Sequence, residues 1–334
     1  MSVVRWGLLS TANINRKVIP AIRASQRGEL VAVASRSREK ATAYAAEWEI
    51  PLAFGSYEAM LESGEIDALY LSLPNHLHTE WSLRAMRAGV HVLCEKPLTL
   101  SLAEVEAMMT TSRETGRVCA EAFMYRHHPQ TKIVGEWVRS GKLGEICLVR
   151  GVFNFAMTNR RDPRGELNIR LVPEWGGGCL WDVGVYPLSF AQFVLGELPE
   201  WVIGAQWVGD SGVDEDFCGQ LHYSGGRMAQ ISSSFRSPWY TFAEVIGTEG
   251  RLSLNRPFHM MEDNRQLLFH DKHGRQKEIP VPEKELYLCE IEDMHAAILD
   301  GAPPYLTLEE SYNHVRTVLA LYQSARTGQI VRIP

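Results

Sequence analysis

Val90-His91-Val92-Leu93-Cys94-Glu95-Lys96-Pro97 is the stretch on which the reading of this chain turns. Val90 to Leu93 reads as a buried strand, and the run stops at an ionisable amine followed by a proline. Proline disfavours the helical region for the residue before it, so Lys96 is expected in extended backbone, unable to join the helix that follows. In an open α/β sheet the carboxyl ends of the strands face the ligand crevice, and a lysine there is placed for chemistry. An isolated lysine would do no more than cap a strand in solvent, so its surroundings must decide.

On either side, from Val3 to about Ala122, short β-branched runs alternate with helical patterns, the signature of βαβ units and a parallel sheet. The strands are expected at Val4 to Leu9, Leu30 to Ser35, Ala68 to Leu73, Val90 to Leu93 and Val118 to Glu121. Helices are expected at Ile14 to Ala24, Arg38 to Glu47, Thr79 to Ala88 and Leu102 to Glu114, with Gly89 and Gly116 stopping the last two. The fold class is therefore α/β, with a doubly wound Rossmann parallel sheet in a dinucleotide-binding domain over residues 1–123.

After Pro129 the rhythm changes to a helix at Gln130 to Ser140 and then alternating strands. Ile146 to Phe155, Trp201 to Val208, Phe217 to Tyr223, Met228 to Phe235 and Tyr240 to Ile246 predict a large, mostly antiparallel open sheet. Helical patterns follow at Leu286 to Leu299 and Leu308 to Ala325, expected to pack back. Residues 124–334 read as a substrate-binding and oligomerisation domain, a homodimer or homotetramer using the free sheet face.

The 334 residues are 45% hydrophobic and 22% charged, with a formal charge of −6. That balance supplies no basic field for nucleic acid or an anionic membrane. No apolar run approaches the length of a membrane span, and Arg5 and Trp6 interrupt the N-terminal apolar stretch, so a cytoplasmic protein is expected. Cys94, Cys119, Cys147, Cys179, Cys218 and Cys289 contain no Cys-x-x-Cys pair and read as reduced packing residues.

The turn after the first strand is Ser10-Thr11-Ala12-Asn13-Ile14-Asn15, with Ser10, Ala12 and Asn15 where a dinucleotide fold normally shows three small residues, mostly glycine. Small Ser10 and Ala12 still let a phosphate approach the helix N-terminus. The second strand ends in Ser35-Arg36-Ser37-Arg38, with no acid to take a ribose 2′-hydroxyl. Arginines and hydroxyls suit a 2′-phosphate, so NADP is expected over NAD. Leu73-Pro74-Asn75-His76-Leu77-His78 follows the third of these strands, where Leu73 and Pro74 would line the nicotinamide and Asn75 and His78 would donate to ribose or phosphate. His76 and His78 lack a nearby third ligand, and no metal is expected.

Four segments, Trp6-Gly7-Leu8-Leu9-Ser10-Thr11-Ala12, Leu73-Pro74-Asn75-His76-Leu77-His78, Glu95-Lys96-Pro97 and Gly176-Gly177-Gly178-Cys179-Leu180-Trp181-Asp182-Val183-Gly184-Val185-Tyr186, resemble the glucose-fructose oxidoreductase, inositol dehydrogenase and rhizopine-catabolism family. The resemblance implies a Rossmann domain followed by an α/β domain with a large open sheet, acting on carbinols of sugars and cyclitols with a nicotinamide cofactor. It makes Lys96 the counterpart of the catalytic lysine, and Asp182 and Tyr186 those of the second-domain aspartate and proton-transfer residue. Tyrosine at that last position looks like glucose-fructose oxidoreductase and the aldose, xylose and dihydrodiol dehydrogenases rather than the inositol members, and Glu121-Ala122-Phe123-Met124-Tyr125-Arg126 with the following Pro129 looks like the dihydrodiol group. Glu95 and Pro97 complete the cofactor-binding set of the lysine motif.

Asp182 and Tyr186 are four apart, so on a helix they share one face. Tyrosine is a poor base at its ordinary pKa of about 10, and a neighbouring ammonium favours the phenolate. Tyr186 is thus expected to exchange the proton, with Lys96 lowering its pKa and binding substrate oxygen and ribose, and Asp182 orienting the hydroxyl. Lys96 as direct proton carrier is the rival assignment. Arg126, Asn154 and Trp175 are candidates for the substrate pocket. An aldose dehydrogenase is the most specific reading; a ketoreductase of free or nucleotide-activated keto sugars and a non-catalytic NADP sensor are the alternatives.

Overall fold

Trp6, Leu8 and Leu9 in β1 (Val4–Leu9) and all four residues of the strand Ala68–Leu71 are buried, as a parallel sheet covered by helices on both faces requires. The computed structural model describes residues 3–162, 165–258 and 266–334. The chain divides into two units, Met1–His127 with Lys284–Tyr312, and His128–Glu283 with Asn313–Pro334.

In the first unit β1 is followed by α1 (Asn15–Ala24), β2 (Gly28–Ala34), α2 (Arg38–Glu47), β3 (Leu52–Phe54), α3 (Tyr57–Glu62), β4 (Ala68–Leu71), α4 (His78–Arg87), β5 (His91–Glu95), α5 (Leu102–Thr115), β6 (Cys119–Ala122) and α6 (Met124–His127). The six strands lie in the order β3-β2-β1-β4-β5-β6, every pair parallel. Strand order reverses between β1 and β4, which opens a crevice at their carboxyl ends. Ser37 caps α2 by accepting the Lys40 N–H at 3.2 Å, and Gly116 ends α5 in the left-handed region at φ 64°. Sequence periodicity did not reveal β3 and α3. β3 is a half-buried edge strand of three residues, too short for an alternation to show.

The helix at Leu286–Leu299 belongs to this unit and is tied to it by a buried polar relay. Trp6 Nε1 donates to His295 Nε2 at 2.9 Å, and His295 Nδ1 meets the Ser25 hydroxyl at 3.1 Å. Burial holds the His295 pKa down at about 4, so the ring is neutral and its Nε2 accepts from the indole.

The second unit begins with α7 (Pro129–Arg139) and β7 (Ile146–Asn154). A π-helical turn at Leu180–Gly184 leads directly into α8 (Val185–Leu195), and β8 (Trp201–Val208), β9 (Asp214–His222), β10 (Met228–Ser234) and β11 (Tyr240–Gly247) follow. Next come β12 (Gly250–Asn255), β13 (Leu267–Asp271) and β14 (Gln276–Glu278). After α9 (Leu286–Leu299), which belongs to the first unit, α10 (Leu308–Thr327) leads to β15 (Val331–Arg332). The nine strands run β14-β13-β12-β11-β7-β10-β9-β8-β15, with β7–β10 the one parallel pair, so the sheet is mostly antiparallel. α8 covers this sheet so closely that a Cβ on Gly151 of β7 would lie 2.6 Å from Pro187. Strands β12 to β15 lie beyond the alternation read from sequence; the β11–β12 turn is Thr248-Glu249, which carries no usual hairpin signal.

All six cysteines are free, but Cys147 and Cys218 are exposed on strands, and only Cys94, Cys119 and Cys179 are the buried packing residues expected. Among the described residues no helix is long and apolar enough to cross a membrane.

Candidate active site

The glycine-free turn after β1 is closed by side chains. Ser10 sits at φ 131°, a conformation that favours glycine, and its hydroxyl meets Ser72 Oγ at 2.8 Å and accepts the Ala12 N–H at 3.1 Å. Asn15, fully buried, donates to the Ser10 carbonyl at 2.8 Å and accepts from Ser72 Oγ at 2.8 Å. The first turn of α1 contains no acidic residue and no side chain caps its start, which leaves the N-terminal end of the helix favourable to an anion. Thr11, Ala12 and Ile14 are half-buried there and Asn13 is exposed.

At the end of β2, Ser35 is buried while Arg36 and Arg38 reach solvent. A Cβ on Gly55 would lie 3.0 Å from Arg38 Cβ, and the Arg36 guanidinium lies near enough to Tyr57 to oppose the rise that burial gives its pKa, so Gly55 and Tyr57 border the two arginine stems. Both residues lie on the segment around β3 that periodicity did not resolve.

The turns after β4 and β5 are joined by His78, whose side chain has no solvent exposure. Its Nε2 faces the Leu73 carbonyl at 2.8 Å and its Nδ1 the Pro97 carbonyl at 2.9 Å. Burial lowers its pKa, against the raising pull of those carbonyls and of Glu121. The sequence reading has His78 donating to the cofactor; the structure spends both ring nitrogens on backbone, so any part it plays there runs through the turns it holds. Leu73 is buried, with Pro74 and Asn75 half-buried beside it.

Lys96 is half-buried at the carboxyl end of β5, joined to Pro97 by a cis peptide. Its N–H donates to Glu95 Oε2 at 3.2 Å, while Glu95 Oε1 takes the hydroxyl of Tyr70, a fully buried residue of β4. Burial, with the carboxylates of Glu95 and Glu290 nearby, raises the Tyr70 pKa well above the ordinary phenol range and keeps that hydroxyl a donor. On the far side of the proline, buried Glu121 accepts the Leu98 N–H at 2.8 Å and the Ser311 hydroxyl at 2.6 Å. Tyr70 and Glu121 were not singled out as site residues in the sequence; each looks like an ordinary strand residue until β4, β5 and β6 are laid side by side.

In the second unit the glycine run earns its conformation. Gly176 and Gly178 have φ of 77° and 120°, and a Cβ on Gly178 would lie 2.0 Å from Asp214 Oδ1. Asp214 accepts the Leu180 N–H at 2.8 Å and the Tyr322 hydroxyl at 2.7 Å, and so anchors the start of the helix that bears Asp182 and Tyr186. Burial raises the Asp214 pKa to about 6, against those donors. Asp182 falls in the π-helical turn, so its angle to Tyr186 departs from that of an ideal α-helix, and its Oδ2 accepts from Arg170 Nε at 2.7 Å. Tyr186, buried, has its ring 5.3 Å from that of Phe153 and 6.0 Å from that of Phe258.

The three pocket candidates lie on separate elements. Arg126 is buried in the first unit with a 2.8 Å ion pair to Glu310. Asn154 follows Phe153 in β7, and strand alternation turns it to the sheet face away from Tyr186, with its Oδ1 buried and without a partner among the described residues. Trp175 is exposed on a short 3₁₀ turn ahead of the glycines. Among the described residues no cluster of three or more His, Cys, Asp or Glu is placed to hold a metal ion.

The uncapped start of α1, the closed Ser10–Ser72–Asn15 turn and the acid-free end of β2 fit a dinucleotide laid across the carboxyl ends of β1, β2 and β4. Residues 4–123 match the family described as "Oxidoreductase family, NAD-binding Rossmann fold", and residues 131–253 match the "GFO/IDH/MocA C-terminal domain". D-xylose 1-dehydrogenase (NADP(+)) 2 of Haloferax volcanii is 39% identical over 329 residues, covering 98% of this chain and 99% of that one. A 3-ketoreductase from Actinomadura kijaniata, solved with NADP and TDP-benzene, superposes with a TM-score of 0.87 at 31% identity, over 97% of this chain and 98% of that one. The aldose-aldose oxidoreductase of Caulobacter crescentus, solved with glycerol, gives 0.89 at 25% identity, over 99% and 100%. Matched across both of its units, the chain belongs to the glucose-fructose oxidoreductase, inositol dehydrogenase and rhizopine-catabolism (GFO/IDH/MocA) family of oxidoreductases.

Proposed function

We propose that this protein transfers hydride between NADP and a carbinol or carbonyl carbon of a sugar or related diol, with oxidation of an aldose at its anomeric carbon as the principal reaction. The observation that carries this reading is Lys96, an amine held at the carboxyl end of β5 by backbone hydrogen bonds on both sides of the Lys-Pro step. NADP is favoured over NAD because β2 ends without an acid and offers Ser35, Arg36 and Arg38 to a phosphate. The 39% identical relative is named for NADP(+) and D-xylose.

The bound nicotinamide supplies the hydride acceptor or donor. The chain must then manage the hydroxyl proton. Tyr186 exchanges that proton, and the Lys96 ammonium stabilises the phenolate and hydrogen-bonds the substrate oxygen. Asp182, already paired with Arg170, orients the hydroxyl from its carboxylate. The reverse reduction of a keto sugar uses the same groups, and the relative solved with TDP-benzene, a 3-ketoreductase, favours it as the second reading.

The test is a spectrophotometric panel of aldoses, cyclitols, keto sugars and aromatic diols with each cofactor, repeated with Lys96→Met. The variant is expected to lose turnover by roughly 10³-fold while binding NADP within a few-fold of the parent. Near-normal turnover removes Lys96 from the chemistry, and a clear preference for NAD removes the cofactor assignment. We further infer a cytoplasmic homodimer or homotetramer built on the nine-stranded sheet, whose strand β8 leaves Ile203 and Trp207 exposed. Light scattering on the purified protein tests the assembly, and a monomer overturns it.

A further inference from the structure

We propose that His78 is a positioning residue that couples the turn holding the cofactor to the turn holding Lys96. The inference rests on the assignment of Lys96 above. Leu73 and Pro97 stand just beyond the carboxyl ends of β4 and β5, neighbouring parallel strands, and one imidazole spans the gap between them with contacts of 2.8 and 2.9 Å. Pro97 has no N–H, so its carbonyl is the only backbone group by which that residue can be held. The same peptide unit is fixed at its other end, where Glu121 takes the Leu98 N–H at 2.8 Å. A peptide gripped at both its oxygen and its nitrogen resists rotation, and the proline that carries it is bonded through its ring nitrogen to Lys96.

The Leu73 end works differently. Its carbonyl begins the Leu73-Pro74-Asn75 turn beside β1, where the strand order reverses, so a shift of that turn reaches the cofactor without touching Lys96. A ring nitrogen holds its carbonyl when it carries a proton; burial favours the neutral ring with one N–H, against the pull of the two facing carbonyls for a second. Zero exposure excludes water as a replacement donor. Two functions of the site are thereby linked through one side chain that touches neither the substrate nor the coenzyme.

The two bonds can be removed separately. Asparagine places its amide nitrogen near the imidazole Nδ1 and glutamine near Nε2, so His78→Asn keeps the donor to Pro97 and His78→Gln keeps the donor to Leu73. His78→Gln is expected to bind NADP within about threefold of the parent and lose kcat by roughly tenfold, the size of one hydrogen bond at about 1.4 kcal/mol. His78→Asn is expected to show the opposite split, with NADP affinity down roughly tenfold and kcat at saturating cofactor nearly retained. Equal effects on both constants in both variants, or none on either, overturn the coupling.

If neither variant folds, the parent protein still decides. NADP binding should slow hydrogen exchange at the Leu98 amide, and unchanged exchange there refutes the link. Lys96→Met separates the two assignments: full activity in that variant sinks the role of Lys96, whereas a dead Lys96→Met beside indifferent His78 variants sinks only the coupling.

Discussion

Ser10 offers a direct measure of what the missing glycine costs. Its φ of 131° places a side chain where glycine is usual, at a strain of about 1–3 kcal/mol. Its hydroxyl contacts with Ser72 and Ala12 offset that, at about 1 kcal/mol each. Ser10→Gly and Ser10→Ala lose the same hydrogen bonds and differ in one methyl group. Alanine keeps the strain, and glycine releases it but gives the unfolded chain about 0.4–1 kcal/mol of extra freedom. The difference leaves the alanine variant about 1–2 kcal/mol less stable than the glycine variant, although alanine is the better residue in most positions. Calorimetry should show this as a melting temperature lower by roughly 4 °C, read at the transition that NADP raises. NADP affinity should fall in the same order if the strained turn is, as proposed, the one that meets the pyrophosphate. An alanine variant as stable as the glycine variant would show that the backbone is at ease in this conformation and refute the strain.

Acid should unfold the first unit early. His295 and His91 are buried with pKa values pressed down to about 4, so the unfolded chain takes up protons that the fold refuses. Stability is complete above about pH 6.5 and declines toward pH 4, by up to about 3 kcal/mol per ring. Urea midpoints at pH 7.5 and 5 check this, and a rise on acidification would mean that the rings are charged in the fold. Gly178→Ala would drive a methyl to within 2.0 Å of Asp214 Oδ1 at φ 120°, so a loss of about 3 kcal/mol or more is expected in melting experiments. A wild-type melting curve would place Asp214 elsewhere than at the helix start. Arg36→Ala should raise the Michaelis constant for NADP about tenfold and leave that for NAD within about twofold; equal changes for both cofactors count against a 2′-phosphate at this arginine.

Long elements with a clear period were legible. Val4–Leu9, Arg38–Glu47, Trp201–Val208 and Leu286–Leu299 form with the bounds their patterns imply, because a buried face must repeat over several turns or pleats to be read at all. Leu52–Phe54 is too short for any repeat, and Gln276–Glu278 is an exposed strand whose partner, not its own composition, makes it β. The same limit applies to the site. Lys96 announces itself through its proline, and the glycine run through its composition. Tyr70, Glu121 and Asp214 matter through partners 25, 23 and 34 residues away in sequence, which no local pattern names.

The Lys-Pro step shows where local and distant causes divide. Proline restricts the backbone of Lys96 through a clash that any sequence would suffer, so extended geometry at this residue needs no help from the fold. It says nothing about the direction of the peptide plane beyond the proline, which carries an acceptor at Pro97 and a donor at Leu98. Left to water, that plane would sample several orientations and loosen the turn that follows the lysine. Here it meets an imidazole from the start of α4 and a carboxylate from β6, both buried, and the N–H on the near side meets Glu95, itself held by a phenol from β4. The order of the strands brings those groups together: β4 and β6 flank β5, so residues from both neighbours close on the turn that leaves it. The lysine is thus placed by the topology of the sheet as much as by its own motif, and transplanting Glu-Lys-Pro onto an edge strand would recover its backbone shape without its aim.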